Sequence, residues 1–212
     1  MKTNLTSLLA LSAFAVAIPV AHGATVVFYD FATDLNPTTE AANTSSTAVA
    51  GEGFGGTGRS SFENNAFGRG ISMDVGESYL GFTINADSGF TLDLTDLSFL
   101  YRISQIEGAS TEFTFEVRSS VDGFAAEVPG TYSTNPTGVS GSNRTASFDL
   151  TGGDFAGLET VTFRLGVTGN GASNFNDIAR WDDILVEGSV IPEPSAALLG
   201  SLGLLALLRR RR

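Results

Sequence analysis

The chain has 212 residues, with 12 Lys and Arg against 23 Asp and Glu, a formal net charge of -11, no cysteine and one histidine. A nucleic-acid binder presents a basic stripe that displaces counterions from phosphates, and this balance runs the other way. The lack of cysteine removes disulfides, thiolate nucleophiles, iron–sulfur clusters and cysteine zinc sites together, while a 42% hydrophobic content suffices for the core of one domain.

The N-terminus carries Lys2, then an apolar run from Leu8 to Val20 broken only by Ser12 and Pro19, then Ala21-His22-Gly23. A basic start, an apolar stretch too short to span comfortably and small residues three and one before the cut read as a secretory signal peptide over residues 1–23, with cleavage after Gly23. The alternative is a buried N-terminal helix. Export without cysteine means that the fold holds together without covalent staples. Cleavage also removes Lys2 and His22, the only lysine and the only histidine. A domain without His, Lys or Cys cannot run a Ser-His-Asp triad, a Schiff base or a histidine-ligated metal site. Carboxylate-pair hydrolysis and oxygen-ligated calcium are the common site chemistries that stay open.

Residues 24–189 read as one all-β domain. The first strand spans 25–31. From Ala32 to Gly70 the chain is rich in Thr, Ser, Asn, Ala and Gly, and includes Gly51-Glu52-Gly53-Phe54-Gly55-Gly56. That stretch is a functional loop, an insertion or a set of short strands. Its glycines lack the Lys-Ser/Thr of a phosphate-binding loop. Leu80, Phe82 and Ile84 then alternate with polar or small residues, as do Leu97, Phe99, Tyr101 and Ile103. In 111–118, Phe113, Phe115 and Val117 share one face and Glu112, Thr114, Glu116 and Arg118 the other. Val161, Phe163, Leu165 and Val167 repeat the pattern. Turn residues punctuate these runs at 86–89, 121–123, 135–136, 141–143, 151–153 and 169–171. Half-buried strands with no helix to cover them pack sheet on sheet. The expectation is an antiparallel β-sandwich, a jelly roll in preference to an immunoglobulin-like arrangement or an incomplete barrel, closed by pairing 25–31 with 180–187.

The densest polar cluster is Asn174, Asn176 and Asp177 followed by Arg180, Trp181, Asp182 and Asp183. Its oxygen-rich side chains suit calcium, the one cofactor left open, and Trp181 is suited to stacking on a sugar. Against this, Asp182 and Asp183 are adjacent on a strand and expected on opposite faces, and no EF-hand spacing occurs. The competing role is structural, with Trp181 in the packing and one Asp paired with Arg180.

Beyond the domain, Pro192-Glu193-Pro194 precedes an apolar run over 195–208 and then Arg209, Arg210, Arg211 and Arg212. The prolines are expected to end the domain. Fourteen helical residues reach roughly 21 Å, a thin span helped by snorkelling arginines, with the domain outside and the arginines cytoplasmic. A buried helix is disfavoured, because the run is apolar all round. This tail, residues 190–212, resembles the PEP-CTERM sorting signal of bacterial exported proteins. The resemblance implies that Pro192, Glu193 and Pro194 are recognised by an exosortase-like processing enzyme, that the chain is held in the membrane by its C-terminus before processing, and that it ends at the cell surface or in extracellular polysaccharide. Arg-x-Asp-rich final strands before the motif are also familiar in that family, without a general catalytic role.

Three classes of function compete. A non-enzymatic surface or matrix protein needs no catalytic group. A carbohydrate-binding module, calcium-stabilised or not, needs an exposed aromatic platform beside polar residues. A glycoside hydrolase needs two carboxylates about 5–9.5 Å apart in a cleft. The first agrees best with the tail. Setting aside Lys2 and the terminal arginines leaves 7 basic residues in 24–191, against 22 of the 23 acids, so the domain itself carries -15. Such a charge suits a soluble, self-repelling domain open to bridging by cations.

Overall fold

The computed structural model describes residues 23–52, 59–60, 66–67, 79–104, 112–132, 144–170, 178–193 and 209. In chain order the strands are β1 (Ala24–Tyr29), β2 (Thr39–Glu40), β3 (Thr44–Ser46), β4 (Ala50–Glu52), β5 (Arg59–Ser60), β6 (Ala66–Phe67), β7 (Tyr79–Ala86), β8 (Phe90–Ser104), β9 (Glu112–Ser119), β10 (Gly130–Thr131), β11 (Arg144–Asp149), β12 (Thr160–Asn170) and β13 (Ile178–Pro192). One sheet has the order β10-β11-β8-β13-β1-β2, with β6 on β13 and β5 on β6. The other has the order β3-β7-β12-β9, with β4 also on β7. All these pairings are antiparallel. Along the chain β1, β7, β8, β9, β11, β12 and β13 alternate between the two sheets.

The period-2 pattern explains the burial. Leu80, Phe82 and Ile84 on β7, Phe115 and Val117 on β9, and Val161, Phe163 and Leu165 on β12 are all buried. They meet Leu97, Phe99, Tyr101, Trp181, Ile184 and Val186 of the other sheet in one apolar cluster. Rings from the two sheets touch directly: Tyr29 and Phe82 at 5.2 Å, Phe99 and Phe115 at 5.5 Å, Tyr101 and Phe115 at 4.5 Å between centroids. The first and last strands pair as expected, with Phe28 opposite Leu185 and Tyr29 opposite Ile184.

Three irregularities lie on the β8-β13-β1 side. Val26 is an extra residue in β1 and Thr95 one in β8, while Asp183 and Ile184 together oppose the single residue Phe99. Each bulge shifts the alternation by one position. Hence Val26 and Val27 are both buried, and the buried phase on β8 moves from Leu92 and Leu94 to Leu97 and Phe99.

The described residues of the segment after β1 include short strands. β2 extends the edge beside β1, and β3 and β4 lie on β7 in the opposite sheet. The expected domain end also moves, because β13 continues through Val190 and Ile191 to Pro192. Glu193 N–H donates to Gly89 O at 2.8 Å. The neighbouring Pro192–Phe90 pair is therefore one that asks for no hydrogen bond from residue 192, and a proline there breaks nothing in the ladder. No helix among the described residues is long and apolar enough to cross a membrane. Of the expected signal peptide, residues 1–23, all but Gly23 lies outside the described residues, as does the expected helix over 195–208.

Gly188 marks a close approach. A Cβ there would run into the Asp93 carbonyl oxygen and lie 2.9 Å from Leu94 Cα. Backbone cannot yield as a side-chain tip can, so Gly188→Ala is expected to destabilise the domain by about 1–3 kcal/mol. The check is the urea midpoint, and an unchanged value would refute this account of the β8–β13 contact.

Candidate functional site

Of the sequence-predicted polar cluster, Trp181, Asp182 and Asp183 fall within the described residues, and Asn174, Asn176 and Asp177 lie outside them. Trp181 opposes Tyr101 on β8 and Phe67 on β6, is 0% exposed, and meets Phe115 edge-on at 6.1 Å. A ring so enclosed offers no face to a sugar. Its position serves the packing role. The indole Nε1 has no hydrogen-bond partner among the described residues, and a buried donor left unpaired costs about 1–3 kcal/mol.

The bulge overturns the expectation that Asp182 and Asp183 face opposite ways. Trp181 and Ile184 are buried while both aspartates between them are half-buried, so the extra residue turns both away from the core. Asp183 N–H donates to Asp182 Oδ1 at 3.0 Å, and Asp183 sits at φ 47°. That left-handed position in a bulge is usually a glycine's, although Asp and Asn tolerate it better than other side chains. Burial, and after it the negative charge of Asp30, push the Asp183 carboxyl above its ordinary range. Asp30 follows Tyr29, the partner of Ile184, and its own Oδ1 accepts from Ala32 N–H at 2.9 Å. Extending the β1–β13 register by one residue is the sequence signal that would have brought Asp30 to Asp183. This pair repels without a third ligand: among the described residues no three Asp, Glu, His or Cys side chains converge to hold a metal ion.

Of the expected sorting motif, Pro192 and Glu193 lie at the other end of β13. Pro192 is exposed at the strand terminus, next to the turn Asp87-Ser88-Gly89 that joins β7 to β8. Gly89 takes φ 85° there, and Phe90 N–H closes the turn on Asp87 O at 3.0 Å. Glu193 is half-buried and held by its backbone bond to Gly89. Arg209 is exposed, while Pro194 and Arg210, Arg211 and Arg212 lie outside the described residues. Compared with protein-family models and with curated proteins, the chain matches none.

Two measurements follow from this geometry. Trp181→Ala is expected to cost about 3–5 kcal/mol, but Trp181→Phe only about 1 kcal/mol, because removing the unpaired N–H offsets much of the lost contact. A Trp181→Phe loss of about 3 kcal/mol or more would mean that the indole nitrogen is satisfied. For Asp183 the sign is fixed by the raised pKa. The folded state penalises the ionised carboxyl, so the destabilisation is complete above the folded pKa and is relieved as pH falls through it. Asp183→Asn is therefore expected to stabilise the domain at pH 7, by less than about 1 kcal/mol for so solvent-screened a group. The gain shrinks in acid, and thermal melts of both proteins at neutral and acidic pH test it.

Proposed function

We propose that this is an exported, non-enzymatic protein of the cell surface or extracellular matrix, sorted through residues 190–212. The observation that carries the reading is the order of parts: a signal-like N-terminus, a β domain, Pro192-Glu193-Pro194, an apolar run over 195–208 and four terminal arginines. The domain between them has no His, Lys or Cys with which to build the common catalytic centres. The strand order supports a jelly-roll sandwich. The four strands β11-β8-β13-β1 face β7-β12-β9, and successive main strands cross from one sheet to the other. In such a domain β13 is an interior strand of its sheet, and the chain departs from it at an exposed proline. The exposure of Pro192 at the end of that strand supports recognition of the motif by an exosortase-like processing enzyme.

Replacing Pro192, Glu193 and Pro194 by alanines tests the reading. Circular dichroism and melting are expected to stay as in the wild type, since Pro192 breaks no ladder bond. The mass of the mature protein and its distribution between membrane and surface fractions are expected to change. Identical processing and identical surface fate would refute the sorting role.

A further inference from the structure

We propose that the outer face of the β7-β12-β9 sheet carries an oxyanion-binding site, built on Arg164 and Arg118, that takes the carboxylate or sulfate groups of an acidic polysaccharide. The proposal deepens the matrix reading by naming a ligand class. It is read on purified protein, so its failure and a failure of the sorting role are separate results.

Arg164 on β12 stands directly opposite Arg118 on β9 and Gly81 on β7. Like charges directly across a sheet are unfavourable, and here two of only 7 basic residues in a domain of 22 acids are placed that way. Carboxylate pairing does not explain the arrangement. Arg118 has Glu116 at a loose 3.7 Å and donates from Nη1 to Phe124 O at 3.3 Å. Arg164 makes no hydrogen bond or ion pair to any described residue.

Two rings hold Arg164 in place. Its guanidinium carbon lies 4.3 Å from the centroid of Tyr79 and 3.7 Å from that of Phe124. Gly81 provides the floor, because a Cβ there would come within 3.1 Å of the Tyr79 ring. Phe124 is delivered by the turn after β9. It sits at φ 66°, and Asp122 fixes the turn by accepting from Ala125 N–H at 3.1 Å and Ala126 N–H at 2.8 Å. A non-glycine residue in that conformation costs on the order of 1–3 kcal/mol, which the surrounding turn must hold.

The guanidinium lies over two aromatic rings, which leaves hydrogen bonding to its N–H groups. The Nε of Arg164 and of Arg118 are buried without acceptors, whereas the Arg164 Nη groups are not enclosed and find no acceptor among the described residues. A planar donor fork with its orientation already fixed loses little entropy on meeting a carboxylate or sulfate. Tyr79 and Phe124 are themselves half-exposed. Charge and half-open rings side by side suit a ligand that joins an anion to an apolar C–H face, as a uronate or sulfated sugar ring does. The domain's overall -15 repels a polyanion at long range, but at physiological salt that repulsion is screened beyond about 8 Å and the local contact decides.

The test is affinity electrophoresis of the full chain at about 0.15 M salt, in gels holding polygalacturonate, dextran sulfate or neutral dextran. Retardation by one or both polyanions and not by dextran is expected, and the stronger of the two names the preferred group. Arg164→Gln is expected to weaken it at least tenfold. Arg164→Lys is expected to weaken it nearly as much, since an ammonium lacks the fork and the stack. Phe124→Ala, in an exposed turn, is expected to weaken it several-fold with melting preserved, and it decides the matter if the Arg164 variants fail to fold. Arg144→Gln, on the opposite sheet, serves as the control and is expected to leave binding within twofold. No retardation of the wild type, equal retardation by dextran, or a folded Arg164→Gln or Phe124→Ala protein that binds like the wild type would overturn the proposal. So would a patch variant that alters only self-association.

Discussion

Phe115 is where the two sheets hold each other. Its ring meets Phe99, Tyr101 and Trp181 of the opposite sheet, and Tyr132 edge-on at 5.7 Å from the chain beyond its own strand. A domain without disulfides and with a charge of -15 must oppose its own repulsion with packing. Aromatic pairs at these separations contribute about 0.5–1.5 kcal/mol each beyond their area. Because the contacts join strands from both sheets, losing one ring loosens the union of the sheets and not merely one strand. A second group of rings does the same at another point, where Tyr29 reaches Phe82 and Phe82 reaches Phe163 at 5.6 Å. The Tyr29 hydroxyl is satisfied inside this group by donating to Thr47 O at 2.8 Å, and its burial raises its pKa strongly.

The two sheets reach that core differently. β7, β9 and β12 pair in register along their described lengths. Their alternation is unbroken from Leu80 to Ile84 and from Val161 to Leu165, and it could be read directly. β8, β13 and β1 carry bulges, and each inserted residue reverses the faces of everything beyond it. The alternation Leu97-Phe99-Tyr101 was therefore legible while Leu92 and Leu94, in the other phase across Thr95, were not. The same effect at Asp183 placed Asp182 and Asp183 on one side where unbroken alternation separates them. Pro192 was a similar case. A proline fits within a strand only where its nitrogen is not needed, and that requirement depends on a partner the local sequence does not reveal.

Pairing across the sheets explains what else was hidden. Asp30 lies far from Asp183 in sequence, and Arg118 from Arg164, and only the register joins them. The residues themselves carried a signal in each case, an acid at the end of the first strand and an arginine on the polar face of a strand. The missing information was which strand lies beside which. Pairing of the first and last strands was deducible because both had to close one sheet. The neighbours of β12 were not, since two antiparallel sheets with seven main strands admit several orders.

The same topology separates the domain's charges by task. Acids populate exposed turns, where Asp34, Asp122 and Asp149 accept backbone N–H bonds close by in sequence. Thr151 donates to Asp149 from both its backbone and its hydroxyl, holding that carboxyl below its ordinary range. These carboxylates stabilise turns as anions, so their negative charge is built into the fold. Arginine is sparse, and at Arg164 it lies over two rings although acids are abundant. An arginine needed only to neutralise charge gains more from a carboxylate fork than from a ring. Ring contact leaves the cation unneutralised and its Nε without an internal acceptor among the described residues, which suits an external anion.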